Sequence, residues 1–257
     1  MLKNGTAGED EIIGGSGADR LYGKGGDDEI KGRAGDDRLY GAAGEDELYG
    51  GDGNDRLYGG TQDDELDGGR GHDRIYGGDG NDEIDGGDGN DRTYGGNGND
   101  EIDADSGNDS LSGGSGRDAL DGGNGNDVID AGSGSDRLDG DLGADRLYGK
   151  AGNDRLEGGA GSDTLSGGSG SDIFVFGAFD DDDDDDDSPF YGGNDVITAF
   201  EHGKDQLDVR SYDYTFAQVI ARGVQQGDNV KFTLVPGDTV TIKDAELSDF
   251  TASDFLL

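Results

Sequence analysis

The sequence predicts an all-β solenoid: a right-handed, flattened coil of short parallel strands, two nine-residue units per coil, closed by a small C-terminal β cap. Three observations carry this expectation. Nineteen nine-residue units follow one another without insertion from Gly5 to Val175. Each unit joins a glycine-rich polar stretch to three residues that read outside–inside–outside. The composition is also too poor for an ordinary core, with 29% apolar residues, 55 glycines and neither Trp nor Cys among 257 residues. Such a chain lacks the apolar surface to offset the entropy of folding unless strict periodicity or an external partner stabilises it.

The unit explains each element in turn. Gly50-Gly51-Asp52-Gly53-Asn54-Asp55-Arg56-Leu57-Tyr58 is a clean example. Position 6 is Asp in all nineteen units, and position 4 is Gly in all but one, where Gln62 stands. Position 1 is Gly except at Ala104 and Ala131, and position 8 is Ile, Leu or Phe except at Thr93. Positions 7 to 9 form the strand. Positions 1 to 6 form a turn that needs unusual backbone angles. One turn reverses the chain and two return it, so eighteen residues make a coil. Unit n then stacks on unit n+2 at about 4.8 Å. The core is a row of position-8 side chains: Leu21, Leu39, Leu57 and Ile75 on one sheet, Ile30, Leu48, Leu66 and Ile84 on the other.

Stacked turns bring the aspartates of units n and n+2 together. Carboxylates that close repel each other unless a cation lies between them. Glycine-rich turns add exposed carbonyls, so the site is hard and all-oxygen, which suits Ca²⁺ with its 6 to 8 oxygen ligands. No His or Cys set competes for zinc or copper. The acid excess, 61 against 20 bases for a net charge of −41, fits ligand supply. Nineteen turns allow about 17 sites, whose full occupancy would bring the charge to roughly −7.

This repeat resembles that of the RTX family, Gly-Gly-x-Gly-x-Asp-x-apolar-x, whose fold is the parallel β-roll. The resemblance covers all nineteen units. It implies that one turn gives the carbonyls of positions 2 and 4 and its Asp, and the turn two units later the carbonyls of positions 1 and 3 and its Asp. One such site is Gly51, Gly53 and Asp55 with Gly68, Arg70 and Asp73. Another is Gly78, Gly80 and Asp82 with Gly95, Asn97 and Asp100; Gly114, Gly116, Gly123 and Gly125 are further backbone ligands. The carboxylate ligands are Asp10, Asp19, Asp28, Asp37, Asp46, Asp55, Asp64, Asp73, Asp82 and Asp91. They continue with Asp100, Asp109, Asp118, Asp127, Asp136, Asp145, Asp154, Asp163 and Asp172. Gln62, where position 4 calls for positive φ, Ala104-Asp105 and Thr93 mark units 7, 12 and 10 as places of looser geometry.

The two outer faces differ. Even units carry Arg20, Arg38, Arg56, Arg74 and Arg92 at position 7 and Tyr22, Tyr40, Tyr58, Tyr76 and Tyr94 at position 9. Odd units carry Glu11, Glu29, Glu47, Glu65, Glu83 and Glu101 at position 7, with Asp67, Asp85, Asp103, Asp121 and Asp139 at position 9. Exposed strands favour Tyr, and Arg offsets nearby acid. The same ladder is also suited to an acidic polysaccharide or to the acidic face of a second copy.

Three regions follow: the roll over 1–175, an acidic flexible insertion over 176–194 built on the run Asp180 to Asp187, and a capping segment with secretion signal over 195–257. Asp195–Phe200 and Asp205–Val209 read as strands, and Val230–Leu234, Pro236-Gly237-Asp238 and Thr239–Ile242 as a hairpin. A cap is needed because the last coil would otherwise expose core and strand edges. The tail from Leu247 to Leu257 resembles the uncleaved type I secretion signal of RTX proteins; it reads equally as a packed final strand or helix.

The acidity argues against nucleic acid as a partner. No apolar run reaches membrane-spanning length, and the first residues hold no apolar signal-peptide segment. Absent cysteines suit a chain that stays unfolded in one compartment and folds in another. No His-Glu-x-x-His or Gly-x-Ser-x-Gly occurs, and His72 and His202 are expected to be bystanders, so no enzyme is expected. The favoured expectation is a secreted, extracellular calcium-binding protein that leaves through type I secretion machinery and folds outside. A membrane-acting, pore-forming signalling protein and the non-catalytic module of a larger RTX enzyme are the alternatives.

Overall fold

A computed structural model describes residues 1–177 and 193–257. The Asp180–Asp187 run, and with it most of the expected acidic insertion, lies outside the described residues. The described chain is a parallel β-roll. Even units form one sheet, which reaches 14 strands with the cap, and odd units form a second of 13 strands. Between nonapeptide units every rung is displaced by eighteen residues: Leu21 pairs with Leu39, Leu39 with Leu57, and Leu57 with Ile75. On the opposite sheet Ile30 pairs with Leu48 and Leu48 with Leu66. Both position-8 rows are buried as expected, Leu21 through Phe174.

The strands are longer than positions 7 to 9 alone. Arg38–Ala43, Arg56–Thr61 and Arg74–Asp79 run on into positions 1 to 3 of the following unit. Units of equal length stack turn upon turn as well as strand upon strand, so the ladder continues round the corner. A third sheet, made of Asn124–Gly125, Leu142–Gly143 and Ala160–Gly161, lies wholly within the turns.

The irregular units keep register, and the strain is local. Gln62 takes φ of 81°, the left-handed turn that position 4 demands. Beside it the Gly44 N–H reaches the Thr61 carbonyl at 3.4 Å, against 2.7 Å for the equivalent Gly53–Arg70 bond. At unit 12 the Ala104–Asp121 bond is 3.1 Å, against 2.8 Å for Gly86–Asp103. Thr93 holds its rung between Ile75 and Leu111, but its buried hydroxyl finds no partner.

The stack does not end with the last full nonapeptide. Asn194–Ile197 pairs in parallel with Thr164–Ser169, and Gln206–Asp208 with Ile173–Val175. The first sheet then closes with Asp238–Ile242, antiparallel to Asn229–Val235 in the expected hairpin, and Gly223–Gln226 beyond it. Phe255–Leu256 ends the second sheet against Gln206–Asp208. Over the open end of the core Phe200 meets Phe174 at 6.1 Å and Phe250 at 5.8 Å, and Phe232 stands edge-on to Phe250 and Phe255. Stacked aromatic edges cover the last apolar rung as water cannot. Among the described residues no helix is long and apolar enough to cross a membrane.

Candidate metal centre

Position 6 sits where the turn re-enters the strand, so its side chain folds back under the turn. All repeat aspartates from Asp19 to Asp172 are buried, none more than 3% exposed. From Asp28 onward each carboxylate uses Oδ1 to accept the backbone N–H of the Asp two units earlier, while Asp19 Oδ1 accepts from the Met1 ammonium group. Asp37 donates to Asp55, Asp55 to Asp73, and Asp73 to Asp91, at 2.6 to 2.7 Å. On the other edge Asp46 donates to Asp64, Asp64 to Asp82, and Asp82 to Asp100, at 2.9 to 3.0 Å. The aspartates therefore form two continuous files, one along each turn edge.

The second oxygen decides the chemistry. In all seventeen units from Asp28 to Asp172, Oδ2 is buried without a hydrogen-bond partner. A buried carboxylate oxygen left unpaired is costly, and here the cost recurs at every rung. In the same seventeen units position 2 has positive φ, from 54° at Asp141 to 131° at Gly60. At the two ends of the roll neither feature is present. Thr6, Gly15 and Glu201 at position 2 lie outside the left-handed region. Their N–H groups donate to Oδ2 of Asp10, Asp19 and Asp205 at 2.6, 2.7 and 2.8 Å. The left-handed turn thus swings the position-2 N–H away from the carboxylate and leaves Oδ2 facing acceptors.

Those acceptors are carbonyls. A methyl group on Gly50 would lie 2.6 Å from Asp55 Oδ2 and 2.5 Å from the Gly68 oxygen. A methyl on Gly77 would meet Asp82 Oδ2 at 2.3 Å and the Gly95 oxygen at 2.8 Å. Position 1 thus keeps a cradle, lined by a carboxylate of unit n and a carbonyl of unit n+2, that a side chain would fill. The donor set fits a hard cation with oxygen ligands. Among the described residues no three His, Cys, Asp or Glu side chains converge. Such a site would therefore draw mainly on backbone carbonyls, with one or two carboxylates.

Protonation follows the same geometry. The Thr6 N–H and hydroxyl hold Asp10 below its ordinary value. Burial pushes Asp55 up to about 7, with Asp73 and Asp37 adding repulsion. Burial likewise takes Asp64 to about 8, and Asp73 to about 7. An interior file without a cation holds its charge only against a rising penalty.

The expected ligands fall as follows. Gly68 and Gly95 lie with their carbonyls beside Asp55 and Asp82. The carbonyls of Gly53, Gly80, Gly116 and Gly125 point at the position-4 glycine two units on, reaching within 1.6 Å of where its Cβ would be. Those of Gly51, Gly78 and Gly114 point at the position-2 glycine two units on, 2.0 to 2.4 Å from where its Cβ would be, and the Gly123 carbonyl accepts from Leu142 N–H at 3.1 Å. The carbonyls of Arg70 and Asn97 accept the N–H groups of Gly53 and Gly80 at 2.7 and 2.8 Å. The second lone pair of each remains for another contact.

Two members of the files are missing from the nonapeptide reading. Asp163 N–H donates to Asp195 Oδ1 at 3.0 Å, and Asp172 N–H to Asp205 Oδ1 at 3.1 Å. Gly193-Asn194-Asp195-Val196-Ile197 and Gly203-Lys204-Asp205-Gln206-Leu207 keep Gly-x-Asp-x-apolar, positions 4 to 8 of the unit. That fragment was the available signal. His72 also has a place: its Nδ1 accepts from Asn90 N–H at 2.7 Å, in a ladder where Asn54, Asn90 and Asn108 serve the units around it. It is part of the position-5 scaffold.

Comparison with known proteins bears on the same residues. The family description RTX calcium-binding nonapeptide repeat matches residues 4–30, 22–57, 31–66, 58–93, 94–129, 112–147, 121–156 and 148–183. No curated protein matches the chain. Among solved structures, the AlgE6R3 subunit of the Azotobacter vinelandii mannuronan C5-epimerase is 30% identical over 52% of this chain and 78% of its own, with a TM-score of 0.40. The AlgE6R2 subunit of the same epimerase is 24% identical over 58% and 91%, with a TM-score of 0.34. The extracellular lipase LipA of Serratia marcescens is 17% identical over 79% of this chain and 40% of its own, with a TM-score of 0.37.

Proposed function

Because the chain belongs to the RTX calcium-binding nonapeptide repeat family, we propose that it is a secreted module whose roll folds on calcium outside the cell. The observation that carries this reading is the row of seventeen unpartnered, buried Oδ2 atoms. Bound in the turns, calcium supplies the positive charge that two files of buried carboxylates lack. The chain's own residues do the rest. The position-1 glycines keep the cradle open. The left-handed position-2 residues turn their N–H groups away from Oδ2. The Asp N–H to Oδ1 bonds fix the spacing of the files. In this reading the ligands are the nineteen repeat aspartates and the carbonyls of Gly51, Gly53, Gly68, Arg70, Gly78, Gly80, Gly95, Asn97, Gly114, Gly116, Gly123 and Gly125. Asp195 and Asp205 extend the files.

The compartment follows from the same dependence. Cytosolic calcium is too low to fill sensor-grade sites, whereas extracellular modules bind in the millimolar range. A chain that needs calcium to fold stays extended until it has left the cell, the form an exporter accepts. The role is therefore binding or structural, without catalysis, and the tail from Leu247 to Leu257 serves as export signal and as part of the cap. Equilibrium dialysis with calcium-45 on the purified chain tests the metal reading. The expected result is about a dozen or more ions per chain, taken up together with β structure. Uptake of one or two ions, or none, would remove it. Deleting the tail in cells that carry a type I exporter tests the route: the truncated chain should stay inside.

A further inference from the structure

The two outer faces carry ladders of opposite sign with the same pitch. Arg20, Arg38, Arg56, Arg74 and Arg92 are paired rung to rung on the first sheet. Glu11, Glu29, Glu47, Glu65, Glu83 and Glu101 are paired rung to rung on the second. Like charges directly opposite on adjacent strands destabilise a sheet. Mixing the two signs on each face would serve a solitary roll better. The chain instead segregates them, and both ladders stop together, at units 10 and 11.

Partners within the roll do not account for this. Among the described residues, none of the five ladder arginines has an ion pair or a side-chain hydrogen bond, in a chain of net charge −41. Beside them Tyr22, Tyr40, Tyr58, Tyr76 and Tyr94 stack at 4.6 to 4.9 Å within 4° of parallel, giving a flat, ordered surface. On the acidic face Lys31 pairs with Glu29 and the Tyr49 hydroxyl bonds Glu47 and Glu65, while Glu11, Glu83 and Glu101 make no ion pair among the described residues.

We infer that the Arg–Tyr face of one roll docks on the glutamate face of a second copy, side by side. Charge complementarity and identical rung spacing name the occupant: no adjustment along the roll axis is needed for five arginines to meet glutamates. The contact joins two different faces, so each docked pair leaves one face of each kind free and the association is open-ended. Both ladders exist only when coils are stacked, so association needs the folded state.

Sedimentation velocity of the full chain in calcium tests this across a wide concentration range, with circular dichroism as the check on folding. At about 0.1 M salt the sedimentation coefficient should rise with concentration, and at about 1 M, where the screening length falls to roughly 3 Å, it should return to that of the monomer. The triple variant Arg38→Glu, Arg56→Glu, Arg74→Glu carries two acidic faces and should stay monomeric. Glu47→Arg, Glu65→Arg, Glu83→Arg carries two basic faces and should do the same. An equimolar mixture of the two should associate. A monomeric wild-type chain would overturn the inference, as would folded variants that associate alone or fail to associate when mixed. A monomer that binds dextran sulfate through the arginine face would assign that face to an anionic polymer instead. Should a reversal variant fail to fold, Arg38→Gln, Arg56→Gln, Arg74→Gln removes the charge alone and should abolish the concentration dependence.

Discussion

Stripping calcium from the chain at pH 7.5 should unfold the roll. The size of the effect comes from the interior files. Burial raises Asp55 from 3.8 to about 7, a shift equivalent to roughly 4 kcal/mol for holding the carboxylate charged. The lower end of the cost of a buried polar group left without a partner, about 1 kcal/mol, is a reduced figure for each site. Seventeen sites have the same unpartnered oxygen. Even the reduced figure sums to about 17 kcal/mol, more than the roughly 5–15 kcal/mol by which a domain is stable. Far-UV circular dichroism and sedimentation in excess chelator are the assays. The expected spectrum is that of an unordered, expanded chain, and millimolar calcium should restore β signal and compactness, with magnesium at equal ionic strength ineffective. A full β spectrum in chelator at pH 7.5, with compact sedimentation, would refute the reasoning.

Acid should replace calcium in part. The interior carboxyls bind protons more tightly folded than unfolded, so their contribution to stability is complete below about 3.8 and lost as pH rises through the values near 6 to 8 at Asp46, Asp55 and Asp64; the chelated chain should gain β signal between pH 7.5 and 4, which circular dichroism reads directly. Asp55→Asn keeps an Oδ1 acceptor for Asp37 N–H and removes a buried charge, so it should fold at higher pH in chelator yet bind less calcium, by dialysis, than the wild type. At Gly71 a Cβ would lie 1.6 Å from the Gly53 oxygen at φ of +145°, whereas at Gly8 it meets nothing within 4 Å; Gly71→Ala should cost about 3 kcal/mol and raise the calcium midpoint, and Gly8→Ala should leave it within about 0.5 kcal/mol-equivalent. Thr93→Val removes an unpartnered buried hydroxyl and should stabilise the calcium form by about 1 kcal/mol, seen as a higher urea midpoint.

Much of this molecule was legible before any coordinates. A period of nine with one apolar residue per unit admits few architectures, because each unit buries its single side chain only by stacking on its neighbours. Leu21, Leu39 and Leu57 on one sheet and Ile30, Leu48 and Leu66 on the other follow from that alone, as does the pairing of aspartates eighteen residues apart. The positive φ of Gln62 was readable because the eighteen other units, all with Gly at position 4, made it the exception to explain. The hairpin of Asn229–Val235 and Asp238–Ile242 was announced by Pro236-Gly237.

Other features needed the fold. Asp195 and Asp205 escaped because only positions 4 to 8 of the unit survive around them, too short a fragment to stand out beyond a break in the repeat. Their place is set by stacking on Thr164–Ser169 and Ile173–Val175, a contact across 32 and 33 residues at the aspartates. The role of His72 depends on a position-5 ladder that has no apolar period to reveal it. The backbone switch at position 2 is the clearest case. Lys24, Arg33, Ala42 and Lys150 adopt positive φ although their side chains disfavour it, and no local rule puts them there. The sequence by itself determined which oxygens lie near one another, since periodicity alone sets that. Only the tertiary structure decided which way the peptide between positions 1 and 2 faces, because the neighbouring coil above and below holds it there, and that orientation leaves Oδ2 of the interior aspartates without a proton donor.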